Sequence, residues 1–157
     1  MLMEKTQNAE QILVFKTCLL IVEHIDHLVE YEENTKKRSG YHSRFFEHLL
    51  HHEEKFVYLG KSKNLIEGMQ VYREHVVPCA YMMSELERLI KEKRYSKEEL
   101  ACALQKNWKI AHITKEEVDY LNYKLKLKST MPAGWDFMTS YPENRLKLAG
   151  IQLIYPV

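Results

Sequence analysis

The sequence has few of the residues that interrupt regular structure or cross-link a chain. Its 157 residues include 5 glycines, 4 prolines and 3 cysteines. This scarcity of glycine and proline argues against a collagen-like or low-complexity chain and favours uninterrupted helices. Cys18, Cys79 and Cys102 are odd in number and form no CxxC pair, which argues against a disulfide framework or a zinc ribbon. Reduced thiols in a cytoplasm fit this usage best.

The chain also lacks a dominant charge and a long hydrophobic run. Lys and Arg total 23 against 22 Asp and Glu, a formal net charge of +1. Any nucleic-acid contact must therefore come from a local patch rather than from the field of the whole protein. The apolar segment 11–22 is too short and too interrupted for a membrane span, and the early Lys and Glu residues do not fit a signal peptide. We expect a soluble cytoplasmic protein with no membrane partner.

Hydrophobic residues make up 45% of the chain, which is enough for one domain with a core. Apolar residues at three- and four-residue steps predict a long helix from Asn8 to about Lys37 and a second from about Tyr41 to Tyr58. The short loop between them predicts an antiparallel hairpin. We therefore predict one α+β domain, mostly helical. It has a helical hairpin in residues 1–60 and a smaller mixed region of helices and short strands in residues 61–157.

The second half of the chain predicts shorter elements. Ser96 with Glu99, and Thr114 with Glu117, have the spacing of capping boxes, so each pair predicts the start of a helix. The other predicted elements are a helix or turn at 62–75, a helix at 81–93, a strand at 108–113, a turn at 131–135, a helix at 142–149 and a terminal strand at 151–155.

The segment 73–78, Arg-Glu-His-Val-Val-Pro, has residue types that suggest chemistry rather than packing. Glu74 and His75 place a carboxylate beside an imidazole, which are a metal ligand and a general base. The Val-Val-Pro that follows is stiff and extended. The segment resembles the opening of HNH (ββα-metal) endonucleases, in which an acidic residue and a histidine precede a short apolar pair and a proline.

The stretch from Asn107 to Glu117 resembles the second half of the same module. The resemblance implies that Asn107 orients the loop of His75, that residues 110–113 form the second strand, and that Thr114 caps the metal-binding helix. It covers roughly the second half of the chain, which is also similar to small phage and plasmid proteins that carry degenerate HNH modules.

The resemblance implies a divalent metal, Mg²⁺, Mn²⁺ or Zn²⁺. Glu74 would bind the ion, and His112 or Glu117 would complete its ligand shell. His75 would remove a proton from the water that attacks a phosphodiester.

The chain departs from the family in the predicted metal helix, where Val118 and Asn122 occupy positions that hold histidines in HNH proteins. An active nuclease and a decayed relative therefore both stay open. A third interpretation is purely structural, with segment 73–78 ending a helix and filling the core.

Three lysines, Lys124, Lys126 and Lys128, follow Tyr123 and form the predicted nucleic-acid-binding group, for DNA or RNA. Two other basic groups, around Lys36 and Lys91, have acidic neighbours in the sequence and are more typical of a solvated face.

Two alternatives use the predicted hairpin. Its histidines have helical spacings at which they can share a metal, although most of them fall on the outer faces of the helices; they are His24, His27, His48, His51 and His52. The segment Ile12 to Val22 is apolar over more than one face, which predicts a further helical partner. The chain would then be a non-catalytic interaction or inhibitor protein, as in phages, that binds another protein or forms a homodimer.

Overall fold

The computed structural model describes residues 2–41, 43–51 and 54–157, with the side chains of residues 9–41, 44, 46–49 and 55–157. Along them the elements are α1 (Leu2–Thr35), α2 (Ser43–His51), α3 (Glu54–Val57), β1 (Tyr58–Ser62), β2 (Tyr72–His75), α4 (Cys79–Glu92), α5 (Lys97–Asn107), β3 (Ile110–Ile113), α6 (Lys115–Asp119), a π-helical turn (Tyr120–Lys124), α7 (Asn144–Leu148) and β4 (Leu153–Ile154). Most of the described residues that lie in regular elements are helical, and the strands are few and short. The predicted α+β fold, mostly helical, is confirmed.

Helix α1 runs without a break because its 34 residues contain neither glycine nor proline. One side of it is buried and lies against α5 and α4. The buried residues on that side are Val14, Cys18, Ile21, Val22, Ile25 and Val29. They belong to the larger of two hydrophobic clusters, which also contains the buried side chains of α4 and α5 and Trp108.

The four strands form one mixed sheet in the order β2-β3-β1-β4. Strand β3 is antiparallel to β2 and parallel to β1, and β4 is antiparallel to β1. Because successive side chains of a strand point to opposite faces, Ile110 joins the larger cluster while Ala111 and Ile113 join the smaller one. The sheet thus separates α1, α4 and α5 from α6, the π-helical turn and α7.

Two helices begin at the predicted capping boxes. Before α5, Ser96 Oγ accepts from Glu99 N at 3.1 Å, and Ser96 N donates to Glu99 Oε2 at 2.7 Å. Before α6, Thr114 Oγ1 accepts from Glu117 N at 3.2 Å, and Thr114 N donates to Glu117 Oε2 at 2.9 Å. These reciprocal bonds satisfy N–H groups that have no partner within the first turn.

Residues 62–75, predicted as a helix or turn, differ from that prediction at their ends: β1 ends at Ser62, and β2 covers Tyr72–His75. Both strands are short, and their partners lie far along the chain: β2 pairs with β3, and β1 pairs with β3 and β4. Local periodicity does not reveal such pairing. Gly60 lies within β1. A Cβ at this position would lie 2.5 Å from the Ile154 carbonyl oxygen, so glycine permits the close approach of β4.

Candidate functional site

Glu74 and His75 are neighbours in β2, and their side chains lie on opposite faces of the sheet. Glu74 pairs with Ala111 and His75 with Ile110 on β3. Ala111 belongs to the smaller cluster and Ile110 to the larger one. Cross-strand neighbours share a face, so the sheet separates the carboxylate from the imidazole.

Glu74 is bound by Arg145, whose side chain is fully buried. Arg145 Nη2 donates to Glu74 Oε1 at 2.7 Å and also to the His75 carbonyl oxygen. The other nitrogens donate to the carbonyl oxygens of Val76 at 3.3 Å and Leu127 at 2.7 Å. The guanidinium thereby joins α7 to β2 and to the segment after the π-helical turn. The Glu74 charge is engaged in a contact that holds the fold together.

His75 lies between α2 and the end of α5. Its Nε2 is 3.7 Å from Glu47 Oε1, and its side chain is 18% exposed. The ring lies edge-on to Trp108, with centroids 6.5 Å apart. An imidazole beside a carboxylate can exchange a proton, and the general-base role of His75 stays a prediction.

Asn107 and Glu117 each make buried structural contacts. Asn107 Nδ2 donates to the Phe137 carbonyl oxygen at 2.8 Å, which ties the end of α5 to the turn beyond Trp135. Glu117 Oε1 accepts from Ser62 Oγ at 2.6 Å and from Asn64 Nδ2 at 3.0 Å. Its other oxygen, Oε2, accepts from Thr114 N in the capping box of α6. Glu117 therefore links α6 to the end of β1. Neither Ser62 nor Asn64 stands out in the sequence, because their role depends on that distant carboxylate.

The side chain of His112 lies on the opposite face of the sheet from that of Glu74. On β3 it pairs with Arg73, and its ring centroid is 4.8 Å from that of Tyr58. Alternation along β3 places His112 on the face of Ile110. Glu74 and His112 thus lie on opposite faces of the sheet, and the metal-ligand role of Glu74, His112 and Glu117 stays a prediction.

The alternative metal group lies on α1 and α2. His24, His27 and His48 are exposed, and the ring centroids of His24 and Phe46 are 5.9 Å apart. The side chain of His51 and the whole of His52 lie outside the described residues. Among the groups that the structure does describe, no three His, Cys, Asp or Glu side chains converge as a metal site. A histidine site on these helices stays a prediction.

An exposed group of lysines and tyrosines lies on the π-helical turn and the segment after it. We define this lysine–tyrosine surface by Tyr120, Tyr123, Lys124, Lys126 and Lys128. Tyr123 is 74% exposed and Tyr120 is 43% exposed, and all three lysines are exposed. Residues 120–130 include no Asp or Glu, so this segment is uniformly positive.

Leucines between the exposed residues anchor the lysine–tyrosine surface to the interior of the protein. Leu121 and Leu127 are buried, and Leu125 packs against the smaller cluster. Backbone bonds hold this packing: Leu125 N donates to Tyr120 O at 2.9 Å, and Leu127 N donates to Leu121 O at 2.8 Å. Lys126 adopts a φ of 56°, which turns the chain between two inward leucines. Single π-helical turns occur frequently at functional sites.

Lys115 lies beside this surface but is paired with a carboxylate, so it adds no net positive charge. Its Nζ is 2.6 Å from Asp119 Oδ2. That hydrogen bond raises the pKa of Lys115, with smaller contributions from Tyr72 and Tyr123.

In the basic group around Lys91 that was named from the sequence, two lysines have carboxylate partners. Lys91 Nζ lies 2.7 Å from Glu87 Oε1 and 3.6 Å from Glu32 Oε2, and Lys93 Nζ lies 3.6 Å from Glu33 Oε2. Their charge is neutralised locally, so they are weaker candidates for phosphate binding than the lysine–tyrosine surface.

A groove of about 330 Å³ lies between the end of α1, the segment after it and α4. Tyr41 donates to Glu87 Oε2 at 3.3 Å. The hydrogen bond from Lys91 lowers the pKa of Glu87, and burial together with Glu87 raises the pKa of Tyr41 to about 12. These groups are paired with one another.

Comparison of the chain with protein-family models, with curated proteins and with solved structures gave no match. None of the helices in the described part of the chain is long and apolar enough to cross a membrane.

Proposed function

We propose that this protein binds single-stranded nucleic acid through the lysine–tyrosine surface. The observation that carries the proposal is the 74% exposure of Tyr123 beside three exposed lysines in a segment without acidic residues. Lysines attract phosphates, and exposed aromatic rings stack on bases. A base can stack on a side chain only when it is unpaired, so the exposed tyrosines favour single strands over a duplex.

The charge distribution predicts how such binding behaves. The protein as a whole carries a formal charge of +1, so attraction is confined to the local surface and has little long-range steering. We expect weak to moderate affinity that falls as salt rises, with little dependence on base sequence, since stacking and phosphate contacts carry little sequence information.

The proposed relationship to HNH proteins is that of a degenerate member that binds nucleic acid without cleaving it. Two observations support this. Glu74 is paired with Arg145, and the side chains of Glu74 and His75 lie on opposite faces of the sheet. HNH hydrolysis needs the metal ligand and the general base around one phosphate.

A nuclease assay tests that part of the proposal. Plasmid, single-stranded DNA and RNA are incubated with Mg²⁺, Mn²⁺ or Zn²⁺ and either wild type or His75→Ala. We expect all substrates to stay intact with both proteins. Metal-dependent cleavage by the wild type that is lost in His75→Ala would contradict the proposal and support the active-nuclease prediction instead.

Fluorescence anisotropy with labelled single-stranded DNA and RNA tests the binding surface. Removing one stacking ring costs about 1–3 kcal/mol, so Tyr123→Ala should weaken binding roughly 5- to 150-fold. Tyr155→Ala is the matched control. Tyr155 is also exposed, at 51%, and it follows β4 at the opposite edge of the sheet from β2. No binding by the wild type, or equal losses in the two variants, would refute the proposal.

A further inference from the structure

The outer face of α1 exposes a line of side chains opposite the buried one. Leu13 is 50% exposed and Leu20 is 57% exposed, and with His27 they recur every seven residues, which keeps them in one line. We define the outer stripe of α1 by Ala9, Leu13, Leu20, His27 and Tyr31. All five are exposed, and exposed apolar side chains aligned in this way are typical of an interaction surface.

We propose that a second copy of this chain covers the outer stripe. The two α1 helices would run antiparallel, with Leu20 packed on Leu20 across a two-fold axis. In that register, residues whose numbers sum to about 40 face each other. Leu13 then lies opposite His27, and the small Ala9 lies opposite the large Tyr31, so the ring finds space against the facing helix.

Charge complementarity favours this register. Lys16 and Glu23 lie seven residues apart and therefore flank the outer stripe on the same side. A two-fold axis between antiparallel helices brings the same flank of each copy together. Lys16 is four residues before Leu20 and Glu23 is three after it, so Lys16 of each copy faces Glu23 of the other. In a parallel pair the two-fold axis runs along the helices and brings opposite flanks together, so Lys16 and Glu23 would lie on different sides of the interface and would not pair.

The length of the outer stripe also suits a helix pair. From Ala9 to Tyr31 it spans about 33 Å at 1.5 Å per residue, roughly three heptads. A histidine at the third heptad position weakens the apolar seam. We therefore expect a reversible dimer whose population depends on protein concentration.

Sedimentation equilibrium over a range of concentrations tests the dimer. The wild type should associate, whereas Leu20→Glu, which places two carboxylates on the axis, should stay monomeric. Leu148→Glu is the matched control, because Leu148 is equally exposed at 58% and lies on α7. It should associate like the wild type, and circular dichroism should show that both variants keep their helix content. A wild type that stays monomeric at every concentration, or equal association by the two variants, would overturn the proposal.

Charge exchange tests the register. Lys16→Glu alone and Glu23→Lys alone should each weaken the dimer, since each places like charges opposite each other. The double variant restores both pairs and should recover most of the wild-type association. Failure of the double variant to recover, with both single variants weakened, would show that these residues do not face each other.

Cysteine cross-linking separates antiparallel from parallel packing. In a Cys102→Ser background, Leu20→Cys should form a disulfide-linked dimer on mild oxidation, because the two copies of residue 20 meet on the axis. Leu13→Cys should not, because its two copies would be about 21 Å apart along the helices. Cross-linking of both, or of neither, would overturn the antiparallel arrangement. The dimer is independent of the nucleic-acid proposal, so Tyr123→Ala should leave it unchanged.

Discussion

Replacing Arg145 by methionine should destabilise the protein strongly. The guanidinium is fully buried and pairs with Glu74 at 2.7 Å, and it also donates to the carbonyl oxygens of His75, Val76 and Leu127. Methionine fills similar volume but leaves these acceptors without their donor. Removing one partner of a buried ion pair costs about 3–5 kcal/mol. For a chain of this size that corresponds to a fall in Tm of roughly 6–20 °C.

Urea unfolding followed by circular dichroism measures this loss, with Arg88→Met as the matched control. Arg88 pairs with Glu85 on the surface of α4, where its side chain is 49% exposed. An exposed pair of this kind contributes at most about 1 kcal/mol. Equal losses in the two arginine variants would refute the structural role assigned to Arg145.

Glu74→Gln completes the test of this pair. It keeps an acceptor for Arg145 but removes the charge, so we expect a smaller loss than in Arg145→Met. The double variant should lose less than the sum of the two single losses, because both residues belong to one contact. An unfolding free energy of Glu74→Gln equal to that of the wild type would remove the folding role of Glu74 and favour its predicted role as a metal ligand.

Two further outcomes follow from packing. Gly60→Ala should cost about 1–3 kcal/mol in urea unfolding, because the new Cβ would lie 2.5 Å from the Ile154 carbonyl oxygen. Gly40→Ala, which has open space around it, should change the unfolding free energy by less than about 0.5 kcal/mol, and equal effects would contradict the close approach. In thiol titration at mildly alkaline pH, the native protein should react rapidly at Cys102, which is exposed. Burial raises the pKa of the other two thiols to about 12, so they should react only after unfolding, and rapid native reaction of all three would refute their burial.

The parts of the fold that depend on near neighbours could be predicted from the sequence. Both capping boxes are confirmed because their bonds join residues three apart, such as Ser96 and Glu99. Helix α1 and strand β3 are confirmed because their periodicity runs through consecutive residues. The parts that depend on distant partners could not be predicted. Strand β2 pairs with β3, and β1 pairs with β3 and β4, so the local pattern of residues 62–75 predicts a helix or turn instead.

The same distinction applies to the candidate site. Glu74 and His75 suggest shared chemistry because they are adjacent in sequence, but strand alternation places them on opposite faces. The partner of Glu74 is Arg145, 71 residues away, and only the tertiary structure brings the two together. The exposed lysines, in contrast, alternate with leucines over five residues, so their outward positions follow from a local pattern.

The salt dependence of single-strand binding tests the central claim most directly. The titration compares wild type with a variant in which Lys124, Lys126 and Lys128 are all glutamine. The control replaces the same number of exposed lysines elsewhere, namely Lys36, Lys37 and Lys93. Each lost phosphate contact makes the negative slope of log K against log salt shallower by about 0.7. The slope of the first variant should therefore be shallower than that of the wild type by about 2. The control should keep the wild-type slope. Equal slopes in all three proteins, or no binding by the wild type, would contradict the account.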